Sequence, residues 1–404
     1  MSKSVLLLGA GQEQCTAIKA ARDLGYRVIA ADGSAVAPGL QLADVGIKVD
    51  IRDRDALIEL GRAQNISGLF CHAVEIPDVV ADVAHALGLP GLPPEVASHC
   101  TLKDQRIALL KASGIPVADF IVARNQDELA PIASVFGFPL VLKPVDNAGS
   151  RGVQLIKDVD ALFAAYDEAM LYTRSPTVLI EQFLHGPQIS TESVVYDGRV
   201  HTFAFADRNY PSEDSYAPYF IEDGINFPSI LPSEMQAMVY DLVNRTIAEL
   251  NITMGAAKGD IIVHDGVPHI IEMASRTSGG WFGAGSIPIA TGVNPLKPLL
   301  QMCMDEKPDL GALKPSRNLG CAQRYWIPQR SSVFHSASGF DAVSRMPGVE
   351  MFNVFFPPSG TKLEKAHHHA QRYAQVICTG ASREEAIRRA DAAIAAIQVE
   401  QTYL

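Results

Sequence analysis

The chain has 404 residues, enough for two or three domains, and its 48% hydrophobic and 20% charged residues predict sizeable folded cores. A formal net charge of −11 argues against a nucleic-acid-binding protein, and no apolar run approaches the length of a membrane span. The six cysteines form no C-x-x-C pair and the N-terminus does not resemble a signal peptide, so we expect a cytoplasmic protein with reduced thiols.

The first 94 residues alternate between strands and helices. Strands are predicted at 4–9, 26–31, 45–50 and 67–71, and helices at 17–24, 53–63 and 77–87. This alternation predicts a parallel α/β domain, residues 1–94. Gly9-Ala-Gly11-Gln-Glu-Gln14 follows the first strand and Asp32 ends the second, as in dinucleotide-binding domains. Because Gln14 stands where that fingerprint has its third glycine, a structural strand–helix turn is the preferred interpretation.

Residues 95–310 are predicted to form a second, α+β domain. Thr-x-x-Asp at Thr101 resembles a capping box and predicts a helix from Thr101 to Gly114, with Lys103 near its start. In the subdomain 115–187 we predict strands at 138–144, 153–156 and 177–183 and a helix at 159–170. A hairpin at 189–196 and 199–206, a long loop at 207–232 and an amphipathic helix at 233–250 follow. A loop of that length in a compact domain is usually functional or mobile.

Lys143 and the glycine-containing loop after it suggest a phosphate-binding element. Four apolar residues precede Lys143 on a strand, and Asp-Asn-Ala-Gly149-Ser150-Arg-Gly152 follows. Small residues let backbone amides approach phosphate oxygens closely. The lysine precedes the glycines, so this is not a Walker A loop, and a Gly-Ser loop alone is more often a hairpin turn. The preceding lysine shifts the balance towards phosphate binding.

Glu181 ends the next strand, in Leu179-Ile-Glu181-Gln182-Phe-Leu184. An adenine ring needs apolar walls, an acceptor for its amino group and backbone partners. Glu181 and the backbone of Gln182 and Leu184 can supply these groups. Taken alone, a glutamate at a strand end is more simply a solvated side chain.

The most informative cluster is Asp260, Glu272 and Arg276. Asp260 lies on an alternating strand, a His-Asp-Gly turn follows, and Glu272 lies on the returning strand of the hairpin. Two carboxylates therefore lie on adjacent strands, and a guanidinium follows four residues later. Mg²⁺ prefers carboxylate and phosphate oxygens, and a transferring phosphoryl group needs metal ions and a cation beside its developing charge. The cluster predicts phosphoryl chemistry.

Residues 311–404 form the third predicted domain, with strands at 321–327, 349–356 and 373–379 and a helix at 382–396. His367-His-His369 suggests metal ligands, but three adjacent histidines do not face one point, so we predict a solvated loop. Cys71-His72-Ala-Val-Glu75 is given a structural role, because adjacent residues on a strand face opposite sides.

In this order the motifs resemble the ATP-grasp superfamily of carboxylate–amine ligases over nearly the whole chain. The resemblance implies an ATP-grasp fold: a Rossmann-like parallel α/β domain, a two-part nucleotide clamp with residues 115–187 as its lid, and a C-terminal α/β cap. The implied ATP-binding residues are Lys103, Lys143, Gly149, Ser150, Gly152, Glu181, Gln182, Leu184 and Gln188. The resemblance also makes Lys143 and Arg276 catalytic, and makes Asp260 and Glu272 ligands of Mg²⁺, or of Mn²⁺ in its place.

Two further segments resemble the L-amino-acid ligases within this superfamily. They are Phe220-Ile-Glu-Asp-Gly224 and the run Arg276-Thr-Ser278-Gly279-Gly280. By this resemblance Ser278, Gly279 and Gly280 contact substrate. The segment 379–386 resembles the cap shared with biotin carboxylase and purine-pathway members.

The chain departs from the superfamily at three positions. Gln188 replaces a glutamate, Ala274 replaces an asparagine of the metal site, and Lys258 replaces a histidine two residues before the first metal acid. The changes to Ala274 and Lys258 argue against the binding of a second metal ion.

The activity that the resemblance implies is ATP-dependent formation of an acyl phosphate, which an amine converts to an amide or peptide bond with release of ADP and phosphate. We expect small-molecule substrates, favouring amino acids, no nucleic-acid or membrane partner, and a homodimer. Three alternatives stay open. They are another ATP-grasp reaction, such as bicarbonate-dependent carboxylation in purine or biotin chemistry, a non-catalytic nucleotide-binding protein, and a dehydrogenase built on the N-terminal domain.

Overall fold

The computed structural model of the protein describes residues 3–210 and 215–404. Its N-terminal sheet is parallel in the order β3-β2-β1-β4. The strands are β1 (Ser4–Leu8), β2 (Arg27–Asp32), β3 (Val45–Lys48) and β4 (Gly68–Cys71), and the helices are α1 (Cys15–Asp23), α2 (Pro38–Leu42), α3 (Arg54–Gln64) and α4 (Pro77–Leu87). Apolar residues fill β1 and β2 because helices cover both faces of a parallel sheet. The predicted Rossmann-like arrangement is confirmed.

Two helices connect this sheet to the rest of the chain, α5 (Pro94–Thr101) and α6 (Lys103–Ala112). The predicted capping box at Thr101 is therefore wrong. Thr101 ends α5, where its hydroxyl donates to Ala97 O at 2.9 Å, and Leu102 is the N-cap of α6. Lys103 still lies in the first turn of the second helix.

A small antiparallel sheet follows, in the order β5-β8-β6-β7. Its strands are β5 (Phe120–Ala123), β6 (Leu140–Pro144), β7 (Gln154–Ile156) and β8 (Val178–Gln182), and its helices are α7 (Leu129–Phe136) and α8 (Val159–Met170). Asp158 caps α8 by accepting from Ala161 N at 2.8 Å. Both helices pack on one face of the sheet, which leaves Lys143 and Glu181 to the other side.

The largest sheet has eight strands in the order β13-β12-β9-β10-β11-β14-β18-β16, all antiparallel to their neighbours. The strands are β9 (Gln188–Tyr196), β10 (Arg199–Asn209), β11 (Gly224–Phe227), β12 (Gly255–His264), β13 (Val267–Ala274), β14 (Gly320–Trp326), β16 (Val349–Val354) and β18 (Ala374–Gly380). Pairing of β11 with β14 carries this sheet across the predicted boundary at residues 310 and 311. The division into 1–94, 95–310 and 311–404 stays a prediction.

The remaining strands and α-helices lie outside the three sheets described above. They are the strands β15 (Ser332–Ser338), β17 (Lys362–Leu363) and β19 (Gln398–Tyr403), which form a third antiparallel sheet, and the helices α9 (Ser233–Glu249), α10 (Ile287–Thr291), α11 (Leu296–Cys303), α12 (Phe340–Ser344) and α13 (Arg383–Ala395). In the two described stretches of the chain, every helix is too short or too polar to cross a membrane.

The segment 207–232, predicted as one long loop, contains parts of two strands. β10 extends to Asn209, and β11 pairs with both β10 and β14. The loop prediction was wrong for these residues, and for β11 one partner, β14, is distant in sequence. Residues 211–214 lie outside the described part of the chain.

Candidate active site

The four-stranded antiparallel sheet, the eight-stranded sheet and the end of the N-terminal sheet surround a cavity of about 580 Å³. Among the residues that line it, lysine and arginine outnumber aspartate and glutamate, although the chain as a whole carries a formal net charge of −11. A cleft that concentrates one sign of charge attracts ligands of the opposite sign. The cavity therefore favours an anionic ligand.

Most of the residues that the sequence singled out line this cavity. They are Lys103, Lys143, Gly149, Ser150, Glu181, Gln182, Leu184, Gln188, Asp260, Glu272, Arg276, Ser278, Gly279 and Gly280. Gly152 is the exception: it is buried behind the loop, where a Cβ would lie 2.9 Å from Pro144 Cγ.

The two acidic residues face each other on neighbouring strands. Asp260 on β12 is the direct register partner of Glu272 on β13, and the pairing becomes irregular just beyond, which is typical of strands that re-aim side chains at a site. Asp260 is only 4% exposed. Its Oδ1 accepts from Ser190 Oγ at 2.8 Å, and its Oδ2 lies 2.7 Å from Arg208 Nη1.

Cations surround this pair. Lys258 Nζ donates to Asp260 Oδ2 and lies 3.3 Å from Glu272 Oε2, and Arg106 Nη2 lies 3.6 Å from Glu272 Oε1. Burial opposes ionisation of Glu272, but the cations around it, Lys258 foremost, hold its pKa well below the usual range. Burial likewise opposes ionisation of Asp260, and Arg208 and Lys258 lower its pKa. Both side chains are therefore carboxylates at neutral pH.

The two predicted phosphate lysines come from β6 of the small sheet, which carries Lys143, and from the start of α6, which carries Lys103. Lys143 Nζ forms an ion pair with Glu181 Oε2. Lys103 Nζ donates to Asn147 O at the start of the glycine loop, and burial lowers the pKa of Lys103. The Gln182 amide already donates to Asp119 O at 2.8 Å, so this N–H has a protein partner.

The glycine loop is held from two sides. Gly149 O accepts from His369 N at 2.9 Å, and the Ser150 hydroxyl donates to Phe220 O at 2.9 Å. Ser150 has φ +62°, a conformation that a side-chain-bearing residue adopts at a cost. The loop thus bridges the cap region and the segment that follows residue 214.

Arg276 is anchored by the N-terminal region. Its Nε and Nη2 form an ion pair with Glu75 Oε2, and its Nη1 donates to Thr277 O at 3.1 Å. Glu75 lies just beyond β4, so the predicted structural role of the Cys71–Glu75 segment extends to holding this guanidinium.

The segment after Arg276 is fixed by two carboxylates, of which Glu192 is fully buried and Glu13 is half-buried. Glu192 on β9 accepts from the Ser278 amide at 3.0 Å and from its hydroxyl. Glu13, in the loop after β1, accepts from the amides of Gly280 at 3.1 Å and Trp281 at 2.7 Å. Burial raises the pKa of each carboxyl to about 7. The loop after β1, which resembled a dinucleotide motif, thus binds protein backbone.

Sequence analysis missed a second charged group in the cavity. Arg208 Nε donates to Glu222 Oε2 at 2.8 Å, Arg372 Nη2 donates to Glu222 O at 2.5 Å, and the Arg372 guanidinium lies 4.2 Å from the centre of the Tyr325 ring. The only sequence signal was Glu222 in the segment compared with the L-amino-acid ligases.

His369 was assigned to a solvated loop, and that prediction was wrong. The residue lines the cavity, and its Nε2 accepts from the Glu222 amide at 3.3 Å. Burial lowers the pKa of His369 well below its usual range, so the ring is neutral. Three adjacent histidines gave no indication of which one would point inward.

The donor set fits a magnesium ion that arrives with its own oxygen ligands. Among residues 3–210 and 215–404 no three His, Cys, Asp or Glu side chains gather around one point that would suit a metal. Asp260 and Glu272 alone supply two hard carboxylates, and Mg²⁺ usually binds through one or two carboxylates plus substrate phosphates and water. Lysines and a glycine loop beside them suit the phosphates.

Two family models match the chain. The first, L-amino acid ligase C-terminal domain 2, matches residues 324–402, and the second, the D-ala D-ala ligase C-terminus, matches residues 109–278. Together they include most of the residues that line the cavity, but not those contributed by the N-terminal sheet.

The chain is also similar to curated proteins and to a solved structure. The uncharacterized protein y4rH of Sinorhizobium fredii is 26% identical over 84% of this chain and 70% of its own length. The formate-dependent phosphoribosylglycinamide formyltransferase of Synechococcus sp. is 35% identical over 45% of this chain, and the match spans about half (48%) of that relative. The L-amino acid ligase of Bacillus licheniformis superposes with a TM-score of 0.86 and 20% identity over 99% of this chain and 98% of its own. The chain therefore has the ATP-grasp fold, and its similarity to ligase domains covers residues 109–278 and 324–402.

Proposed function

We propose that the protein is an ATP-dependent carboxylate–amine ligase. A substrate carboxylate attacks the γ-phosphate of ATP, ADP leaves, and the acyl phosphate reacts with an amine to give an amide and phosphate. The observation that carries the proposal is the placement of Asp260 and Glu272 as opposed carboxylates in a cavity that also receives Lys103 and Lys143.

Asp260 and Glu272 are the proposed ligands of Mg²⁺, which when bound offsets charge on the β- and γ-phosphates. The lysines add further positive charge beside the same phosphates. Lys143 is paired with Glu181, so its ammonium is held in place before nucleotide arrives, and a preorganised charge needs no reorganisation during the reaction.

Arg276 is the proposed cation for the charge that develops on the transferring phosphoryl group. Glu75 fixes one edge of its guanidinium. An acyl phosphate hydrolyses readily, so water has to be kept out while the amine approaches. The glycine loop, tied through Ser150 to Phe220, is the proposed cover, with Gly149 and Ser150 over the phosphates and Gly152 as its fixed end.

Adenine is proposed to lie beside Glu181, Gln182 and Leu184, and the ribose beside Gln188. All four line the cavity, with Glu181 and Gln182 on β8, Gln188 at the start of β9 and Leu184 between the two strands. Ser278, Gly279 and Gly280 are the proposed substrate contacts, because Glu192 and Glu13 hold their backbone rigidly against the cavity.

Amino acids are the proposed substrates for both the acid and the amine. The similarity to the L-amino acid ligase family model and to the Bacillus licheniformis enzyme supports this substrate class. We also propose a cytoplasmic location and a homodimer. All six cysteines are free thiols, which suits a reducing compartment, and sedimentation at twice the mass of the chain would identify the dimer.

A substrate screen tests the activity directly. Phosphate release is measured with ATP, Mg²⁺ and pairs of amino acids, and products are identified by mass spectrometry. Formate and bicarbonate are included as acids, because the similarity to a formate-dependent formyltransferase favours a small acid as the second candidate substrate. Release that requires bicarbonate would redirect the proposal towards carboxylation.

Glu272→Gln tests the metal site. The substitution keeps the shape of the side chain but removes the charge that Mg²⁺ needs, so turnover, measured as phosphate release, is expected to fall by about 10²-fold or more. Glu59→Gln, on the exposed face of α3, is the matched control and should retain activity. Unchanged ADP and phosphate release by Glu272→Gln would remove the metal role from this residue.

A further inference from the structure

Lys258 lies on the same face of β12 as the first acidic residue of the metal site. It precedes Asp260 by two positions, and alternate residues of a strand project to the same side. In the register with β13, Asp260 is opposite Glu272, whereas Lys258 is opposite Ala274. The methyl group of Ala274 leaves the space beside Glu272 to the longer lysine side chain. Lys258 and Ala274 are therefore spatial neighbours, with a cation on one strand and no polar side chain on the other.

The lysine ammonium bridges the two carboxylates. Its Nζ donates to Asp260 Oδ2 and lies 3.3 Å from Glu272 Oε2, and the residue is only 9% exposed. Two carboxylates in direct cross-strand register repel each other unless a cation lies between them. Lys258 supplies that cation covalently, as part of the strand.

The carboxylate oxygens of Asp260 and Glu272 differ in how many close polar contacts they already make. Asp260 already has three partners, the ammonium of Lys258, Arg208 at 2.7 Å and the Ser190 hydroxyl at 2.8 Å. Among residues 3–210 and 215–404, the polar contacts of Glu272 are longer, at 3.3 and 3.6 Å. A divalent ion therefore meets less competition at Glu272 than at Asp260.

We propose that the Lys258 ammonium is a resident cation of this site, in the place that one of two metal ions takes in many phosphoryl-transfer enzymes, so that nucleotide binds with a single divalent ion. This inference rests on the proposed function. A second divalent ion between the carboxylates would lie against the ammonium and would be repelled by it. Glu272, the less occupied of the two proposed ligands, would then hold the single ion more readily than Asp260.

Counting bound metal tests the inference without measuring turnover. The full-length protein is equilibrated by dialysis with Mn²⁺ and a non-hydrolysable ATP analogue, and bound Mn²⁺ and nucleotide are each counted per chain. We expect one Mn²⁺ per bound nucleotide for the wild type and two for Lys258→Gln, in which the carboxylate pair has lost its fixed charge. Lys111→Gln, which alters an exposed lysine paired with Asp119, is the matched control and should stay at one.

The outcomes separate this inference from the function on which it rests. Two Mn²⁺ per nucleotide in the wild type, or one in a folded Lys258→Gln protein, would overturn the role of Lys258 and leave the ligase proposal intact. Failure of the wild type to bind the nucleotide analogue with Mn²⁺ would overturn both. If Lys258→Gln does not fold, the wild-type count decides, because two ions contradict the inference by themselves.

Discussion

The Glu192 carboxylate lies at the centre of the large sheet and is fully buried, with 0% exposure. Burial raises its pKa to about 7, although the Ser278 amide and hydroxyl stabilise the charged form. Because the folded pKa is above the unfolded one, the folded state binds more protons than the unfolded state between about pH 4.5 and 7. Stability associated with this group is present at low pH and is lost as pH rises through 7.

Glu192→Gln is expected to change the pH dependence of stability. The variant has no carboxyl to ionise at this position, so it does not lose this stability as pH rises. The free energy of unfolding of the variant minus that of the wild type should therefore increase by up to about 3 kcal/mol between pH 5 and pH 8. Unfolding in urea at pH 5, 6, 7 and 8 measures the difference. Glu59→Gln, which removes one exposed negative charge, controls for the net-charge change. A difference between Glu192→Gln and wild type that is the same at every pH would show that this carboxyl does not ionise in the window.

The glycine loop between β6 and β7 depends on one position that faces away from the cavity. Gly152 has φ +69°, and a Cβ there would lie 2.9 Å from Pro144 Cγ and 3.2 Å from Ala169 Cα. A side chain would therefore be strained by the backbone and would also press the loop away from α8.

Gly152→Ala is expected to destabilise the protein by about 2–4 kcal/mol, which combines the cost of a left-handed non-glycine residue with that of overpacking. Gly198 in the β9–β10 turn has the same φ of +69°, but nothing lies within 4 Å of its Cβ position. Gly198→Ala therefore isolates the backbone cost and should lose only about 1 kcal/mol. Thermal unfolding compares the two variants, and equal losses would mean that the contact with Pro144 and α8 is not limiting.

Elements with strong local patterns were predicted well, and elements defined by distant partners were not. The helix at 159–170 and the hairpin of β12 and β13 follow from apolar periodicity and a short turn, so Asp260 and Glu272 could be placed together from sequence. β11 has only four residues and depends on pairing with β14, about one hundred positions later in the chain, which no local pattern reveals.

The same difference in range explains which site residues were found. Lys143, Asp260 and Glu272 lie on recognisable strands beside turns. Glu75 and His369 reach the cavity, and Glu13 reaches the segment after Arg276, only because separate parts of the fold meet there. Polar residues such as Glu192, buried inside β9, look in sequence like the solvated face of a strand. Tertiary packing, which the sequence pattern does not contain, makes them part of the site.

Arg276 and Glu75 connect the N-terminal sheet to the clamp across the cavity. Each side chain is 13% exposed, and the two residues are 201 positions apart in the chain. Removing one partner of a largely buried ion pair leaves the other charge without compensation, so either single substitution should be costly. The double substitution should lower the free energy of unfolding by less than the sum of the single substitutions, because it leaves no unpaired charge behind.

A double-mutant cycle of Glu75→Ala and Arg276→Ala measures this connection. We expect a coupling energy of about 1–3 kcal/mol in urea unfolding, against about 0–1 kcal/mol for the exposed Lys111–Asp119 pair, whose side chains are 51% and 59% exposed. Turnover should fall in Glu75→Ala even though Glu75 is not proposed to touch substrate, because the guanidinium that faces the phosphoryl group has lost its anchor. Additive stability losses together with wild-type turnover in Glu75→Ala would mean that the N-terminal sheet only covers the cavity and does not position Arg276.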